Sequence, residues 1–441
     1  LTSAVFQPLR FRNLEVKNRV FRSSISGRFD NYDGSGTDVR LRWDLKFARG
    51  GVGAIISSNT PVHPRGLIVP NYAHLDADDK IPFWRELGKR SREHDCKYIA
   101  QIAYSGRQRD IPGITYSKGL SSTDKAEPIH GLPCERATIP QIREIVECFA
   151  QAARRAREAE LDGIEIHGCN GYLITQFLSP AINDREDEYG GPLENRARLP
   201  LEIVRAIRRE VGDDFHVQFK ITAVDHHDAL FPWWGRGTTI DDSIEVCRWL
   251  EQAGVDGFHV SSGSAFPHPR NPAGGFPIAD TIRSYDTMLS SGKNTFRNYL
   301  LFRTPPFNKV FKWAWERSGK REGIEGINLG EARRVKESVS VPVLCAGGFQ
   351  TQSTIALAIE EGLVDGVSMG RPLIANPDLV NLFEAGHDRA PRPCTYCNKC
   401  LINFIENPLG CYEQSRFDSR EAMVRQILSV YDPEPVEAMR A

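Results

Sequence analysis

No stretch of this chain approaches the roughly 20 uninterrupted apolar residues needed to cross a bilayer. It also lacks a dominant charge: 56 Lys and Arg stand against 57 Asp and Glu, a net charge of -1. That balance removes the long-range electrostatic reason to expect nucleic acid or an anionic membrane as a partner. The opening LTSAVFQPLRFRNLEV has neither the basic nor the apolar region of a secretory signal. The expectation is a soluble, cytoplasmic protein with a small-molecule substrate and no nucleic-acid or membrane partner. Disulfide-scaffold cysteine density is absent too, with ten cysteines in 441 residues. Four of the ten nevertheless crowd together as Cys394, Cys397, Cys400 and Cys411.

Short β-branched runs recur along the chain, each followed by small or polar residues and then a segment of helical period. This is the rhythm of consecutive βα units. Eight strands are expected, at Val20–Ser23, Gly53–Ser57, Tyr98–Ile102, Gly163–His167, His216–Ile221, Gly257–Ser261, Pro342–Ala346 and Gly366–Met369. Their Val and Ile content without strict alternation suits burial on both faces. Three of them share a local repeat, in which Asp162-Gly163, Asp256-Gly257 and Asp365-Gly366 each introduce an apolar strand. Equivalent units of this kind indicate an α/β fold, a closed (β/α)8 TIM barrel. The segment 140–160 reads as a helix covering that barrel, with Ile142, Ile145, Phe149, Ala152, Ala153 and Ala156 on one face.

Two connections far exceed the roughly 30 residues of an ordinary unit. One is the Gly-, Pro- and Ser-rich segment 104–138; the other, 263–326, carries Phe296, Tyr299, Phe302, Phe307, Phe311, Trp313 and Trp315. Both leave from the strands' carboxyl ends, where barrels of this kind place their sites. They are read as covers over the site, the alternative for the second being a surface excursion or the contact of a homo-oligomer. Phe231-Pro232-Trp233-Trp234 is a smaller candidate for the same rim. The barrel is expected over 1–390 and a short cysteine-containing extension and tail over 391–441.

The fourth strand ends in His167-Gly-Cys-Asn170-Gly-Tyr172-Leu-Ile-Thr-Gln176, followed by Arg185-Glu-Asp187-Glu-Tyr189-Gly-Gly191 and Glu194-Asn195-Arg196. His167 and Asn170 are hydrogen-bond donors that could polarise a carbonyl or nitro oxygen, and Tyr172 could supply a proton. The charged residues after them read as a salt-bridged structural turn. With Phe6-Gln-Pro-Leu, Lys17-Asn18-Arg19 and Gly370-Arg371-Pro372, this stretch resembles the Old Yellow Enzyme family of FMN-dependent ene-reductases, over nearly the whole barrel. The resemblance implies hydride transfer from NAD(P)H to FMN and then to an activated alkene, with His167 and Asn170 holding the substrate oxygen and Tyr172 as proton donor.

FMN makes demands that separate strand ends meet. Its phosphate needs backbone N–H groups and a cation, offered by Gly347-Gly348 and Gly370-Arg371 after the last two strands. The resemblance assigns the flavin's edge to Ser23, Ser24, Ile25, Ser26, Asn59 and Gln101, and the charge beside its reduced ring to Lys220. A lysine inside an apolar strand demands a partner in any case. Arg28 stands where many relatives carry an aromatic residue, so a cationic pocket wall is expected there.

The four crowded cysteines have the spacing of a metal or cluster site. They are similar to those of the iron–sulfur branch that includes trimethylamine dehydrogenase and dienoyl-CoA reductase. A [4Fe-4S] cluster, zinc and four free thiols all remain open at this stage. Two functions follow: an NAD(P)H-dependent reductase of electron-poor C=C bonds, with nitro compounds as side substrates, or an amine or demethylating dehydrogenase passing electrons through a cluster to a partner protein.

Overall fold

The computed structural model describes residues 3–109, 115–227, 235–263, 265, 267–289, 292–319 and 323–432. Phe231-Pro232-Trp233-Trp234 therefore lies outside the described residues.

All eight expected strands form, with ends within two residues of those read from the sequence. They are β1 (Val20–Arg22), β2 (Ala54–Ile56), β3 (Lys97–Ala103), β4 (Gly163–Gly168), β5 (His216–Thr222), β6 (Gly257–Ser261), β7 (Val343–Ala346) and β8 (Gly366–Met369). Each pairs in parallel with its neighbours, and β8 closes on β1 through Val367↔Val20 and Met369↔Arg22. Apart from Lys97 and Ala346 at the margins, every strand residue is buried. Burial on both faces is why the strands lack alternation.

The Asp-Gly repeat has a physical cause. The carboxylates of Asp162, Asp256 and Asp365 accept the backbone N–H of Tyr98, Val217 and Val343 at 2.8, 2.9 and 2.8 Å. The same aspartates' own N–H groups bond to the carbonyls of Tyr98, Val217 and Val343. Each aspartate thus clamps the start of the preceding or a neighbouring strand, at the barrel's amino-terminal end. That end is plugged by the hairpin Leu9–Arg10/Glu15–Val16, whose Phe11 and Leu14 pack with Phe21, Ile56, Ile99 and Leu344. A Cβ on Gly257 would stand 2.8 Å from the Phe11 ring, so the glycine admits the plug.

Outer helices cover the barrel. The best defined from sequence, Ile139–Glu158, starts in a capping box between Thr138 and Gln141 and buries the expected Ile142, Ile145, Phe149, Ala152, Ala153 and Ala156. The first long connection contains a parallel pair, Gly119–Ser121 with Cys134–Arg136. The second contains the helices Ile278–Met288, Thr295–Arg303 and Phe307–Gly319. The carboxyl-terminal extension folds back on the barrel. Arg28 donates to the Ile405 carbonyl, Arg42 to that of Val430, and Arg416 to that of Ala375. Phe404, Ile405, Leu409 and Val430 join the main core.

Candidate active site

At the carboxyl end of the strands lies a cavity of about 190 Å3. All fourteen residues expected to hold the cofactor or do chemistry line it: Ser23, Ser24, Ile25, Ser26, Asn59, Gln101, His167, Asn170, Tyr172, Lys220, Gly347, Gly348, Gly370 and Arg371. They come from the ends of seven strands. Closed parallel pairing makes them neighbours although up to 348 positions separate them.

The turn after β4 shapes the reactive corner. Asn170 and Gly171 take consecutive left-handed conformations, φ 62° and 82°, before the helix Leu173–Leu178 begins. Asn tolerates that region and Gly prefers it. The reversal brings Asn170 Oδ1 to 3.2 Å from His167 Nε2 and the Tyr172 ring to 4.8 Å from the His167 ring. Gln176 pins the turn, donating to the carbonyls of Gly171 at 2.7 Å and Ser105 at 3.0 Å. Asn59 Nδ2 lies 3.4 Å from His167 Nδ1. With the amide placed this way, Nδ1 accepts and Nε2 carries the proton. Burial, reinforced by the Lys220 charge, pushes His167 down to about 3, so at neutral pH it is an uncharged donor.

Beneath the cavity runs a polar ladder that the sequence reading missed. Glu165 accepts from Gln101 at 2.7 Å, Gln218 at 2.5 Å and His259 Nδ1 at 2.8 Å, and Ser368 bonds to His259 Nε2 at 2.5 Å. Burial opposes the charge on Glu165, but His259, Lys220 and Gln101 outweigh it and hold the carboxyl at about 2. Burial keeps His259 itself neutral, so it meets the carboxylate as a neutral N–H donor. The signal was legible in part: Gln101, Glu165, His259 and Ser368 are polar positions in largely apolar strands, whereas Gln218 alternates with His216 and Lys220. The ladder sets the orientation of Gln101 and supplies the counter-charge for Lys220.

Other expectations meet the structure differently. Arg28 does not line the cavity; its guanidinium bonds to the Ile405 carbonyl at 2.5 Å and to Asn71 at 3.1 Å, so no cationic pocket wall forms there. None of the described residues of segment 104–138 lines this cavity, whereas the second connection contributes Arg270, Asn271, Pro272, Ala273 and Ile324. Arg185 pairs with Asp187, Tyr189 donates to Glu202, and Arg196 bonds to the carbonyls of Leu178 and Gly191. Leu401 and Phe404 reach the cavity from the extension, where sequence spacing offered no signal.

Cys394, Cys397, Cys400 and Cys411 line one small pocket together with Arg371, Ile374 and Arg416. The Tyr396 N–H points at Cys394 Sγ at 3.4 Å and Arg416 Nη1 at Cys411 Sγ at 3.0 Å. Among the described residues no three His, Cys, Asp or Glu side chains are arranged to share one metal ion. The four cysteines surround one pocket, with N–H groups directed at two of the four sulfurs. Arg371 and Ile374 line this pocket and the larger cavity alike, so the two are separated by one layer of side chains.

Residues 4–274 match the NADH:flavin oxidoreductase / NADH oxidase family. The chain belongs to that family. Its cofactor is FMN. An NADH oxidase of Thermoanaerobacter brockii is 30% identical over 432 residues, covering 93% of this chain and 57% of the relative. A multifunctional alkene reductase/demethylase of Caballeronia cordobensis is 29% identical, covering 92% and 52%. The chain therefore spans a little over half the length of these curated relatives. A 2-naphthoyl-CoA reductase complex has the same fold, with a TM-score of 0.76 at 24% identity, covering 98% of this chain and 58% of that one.

The cavity fits this family's cofactor on its own polar inventory. Gln101 Oε1 and Asn59 Oδ1 are buried without a protein partner, and Lys220, only 6% exposed, lines the same cavity. Gly370 leaves open space where a Cβ would meet only Ile25 at 3.7 Å. Burying such groups unpaired is costly, and a flavin edge and a phosphate supply the missing partners.

Proposed function

We propose that this chain is an NAD(P)H-dependent FMN oxidoreductase that reduces electron-poor C=C bonds of enone or enoate type, with nitro compounds as further substrates. The observation that carries it is the corner where neutral His167, Asn170 and Tyr172 meet over the Lys220 side of one cavity. Bound here, FMN would supply hydride transfer from NAD(P)H to the β-carbon of the alkene. His167 Nε2–H and the Asn170 amide hold the substrate's oxygen and stabilise the charge that develops on it. Tyr172, packed on the His167 ring, donates the proton to the α-carbon. Lys220 compensates negative charge at the cofactor site, and the Glu165 ladder holds Lys220 and Gln101 in place. Ser23, Ser24, Ile25, Ser26 and Asn59 would hold the ring, and the Gly347, Gly348, Gly370 and Arg371 loops the phosphate.

A second reading, an amine or demethylating dehydrogenase, draws on the cysteine pocket beside Arg371. Cys394, Cys397, Cys400 and Cys411 would hold a [4Fe-4S] cluster at the start of the extension, the segment 391–441 that we divide from the barrel. Stopped-flow reduction of the bound flavin by NADH, NADPH and a panel of amines separates the two readings. Rapid reduction by a nicotinamide and reoxidation by an enone are expected. Reduction by an amine alone would overturn the ene-reductase assignment. Anaerobically purified protein should carry iron, and Cys400→Ser should lose it while FMN is retained.

A further inference from the structure

The helices Thr295–Arg303 and Phe307–Gly319 present two unlike faces. Inward, Phe302, Phe311 and Trp315 pack on Phe276 with ring centroids 5.3, 4.9 and 4.9 Å away. They roof a second cavity of about 660 Å3, which meets the first at Pro272, Leu401 and Phe404. Outward, Phe296, Leu300, Phe307, Val310 and Trp313 are 47% to 60% exposed, half of the large exposed hydrophobics among the described residues. Around them Arg303, Lys309, Lys312 and Arg317 are exposed, and Lys293 and Arg297 are exposed at the rim of the second cavity, against one acidic residue among the described residues of these two helices, Glu316.

The composition of this outer face selects its occupant. A second copy docking through the same face would set like charges against each other across a two-fold axis. The buried centres of protein interfaces are depleted of charge, and lysine in particular is rare in them. Interfacial amphipathic helices have the opposite composition, with Lys and Arg interleaved with Trp, Phe and Leu. Their long cationic side chains reach lipid headgroups while their stems cover apolar surface. The molecule's net charge of -1 does not oppose this, because exposed charges act over roughly 8 Å at physiological salt.

We infer that this helical pair docks on an anionic lipid surface, and that the aromatic cavity behind it admits apolar unsaturated substrates dissolved there. The second half rests on the adjoining cavity being the catalytic site; the first does not.

The test sediments the purified flavoprotein with vesicles of phosphatidylcholine alone, or mixed with phosphatidylglycerol, at low and high salt. Binding about tenfold tighter or more to the anionic vesicles, reversed by salt, is expected. The double variant Phe307→Ser/Trp313→Ser, which alters neither cavity, should lose about tenfold or more of that binding while its flavin is still reduced normally. No sedimentation with anionic vesicles at low salt, or sedimentation the double variant keeps, overturns the docking. A dimer that the double variant dissociates assigns the face to a second copy instead. Equal, unaltered binding of polyglutamate in place of lipid points to an acidic protein, again against the inference. For the substrate half, kcat/KM for a long-chain enone carried in anionic vesicles should fall in the double variant, with a water-soluble cyclic enone unaffected. Equal kcat/KM for the vesicle-borne enone in both proteins overturns it. Turnover of neither enone by either protein would count against the catalytic reading and leave the vesicle binding to stand on its own.

Discussion

At the residue scale, the proposed chemistry divides between groups whose removal has different signatures. Tyr172→Phe should leave reduction of the flavin by nicotinamide nearly intact and slow its reoxidation by an enone by about 10²–10⁴, the size of a general-acid contribution. Equal slowing of both half-reactions, or of neither, would show that Tyr172 is not the proton donor. Nitroalkenes, whose nitronates are stable without immediate protonation at carbon, should be spared. Lys220→Met removes the buried cation that faces Glu165 and the cavity. Weaker FMN binding or a lower flavin potential is expected by titration, because reduced flavin loses its counter-charge. An unchanged dissociation constant and potential would place Lys220 away from the ring. Both side chains were legible in the sequence, Lys220 as a charge inside an apolar strand and Tyr172 in the turn that follows one. Arg28 was misread for the same reason that it was conspicuous. Its charge suggested a pocket wall, but its actual partner, the Ile405 carbonyl, lies 377 positions away.

At the scale of elements, the turn between β4 and the helix Leu173–Leu178 decides whether the site is assembled. Gly171 sits at φ 82°, where an L side chain costs about 1–2 kcal/mol. Gly171→Ala should lower the unfolding midpoint measurably. It should also slow the enone half-reaction, since Asn170 and Tyr172 flank the displaced backbone. An active, fully stable Gly171→Ala protein would mean that the turn can relax without moving them. The long connections illustrate the limit of reading elements one at a time. Their length and departure from the strands' carboxyl ends were visible, yet among the described residues only the second reaches the inner cavity. Residues 126–130 of the first line the outer one instead.

For the molecule as a whole, buried histidines make stability depend on pH in a definite direction. Burial lowers His167 to about 3 and also lowers His216 and His259. Unfolding frees them to take up protons near their ordinary value of about 6.5. Below that pH the unfolded chain binds more protons than the folded one, so stability rises with pH across the window. The contribution of His167 is complete above about pH 6.5 and is lost as pH falls toward 3, at no more than about 1.4 kcal/mol per pH unit. Urea unfolding at pH 7 and pH 5 should show this loss. His167→Gln should lose less between the two values than the unaltered protein, and parallel losses would remove His167 from the account.

The local pattern of the chain determined the eight strands, their burial, the closed α/β barrel and the residues at the strand ends, because those depend on periodicity and on short-range repeats such as Asp-Gly. The tertiary structure alone decided what those residues face. It joined Glu165 to His259 and Ser368, took Arg28 out of the pocket, and brought Leu401 and Phe404 from the extension into it. It also sorted one aromatic, basic segment into an inner wall and an outer face. Such pairings depend on how the barrel closes and on where distant loops fold back, and no window of consecutive residues contains that information.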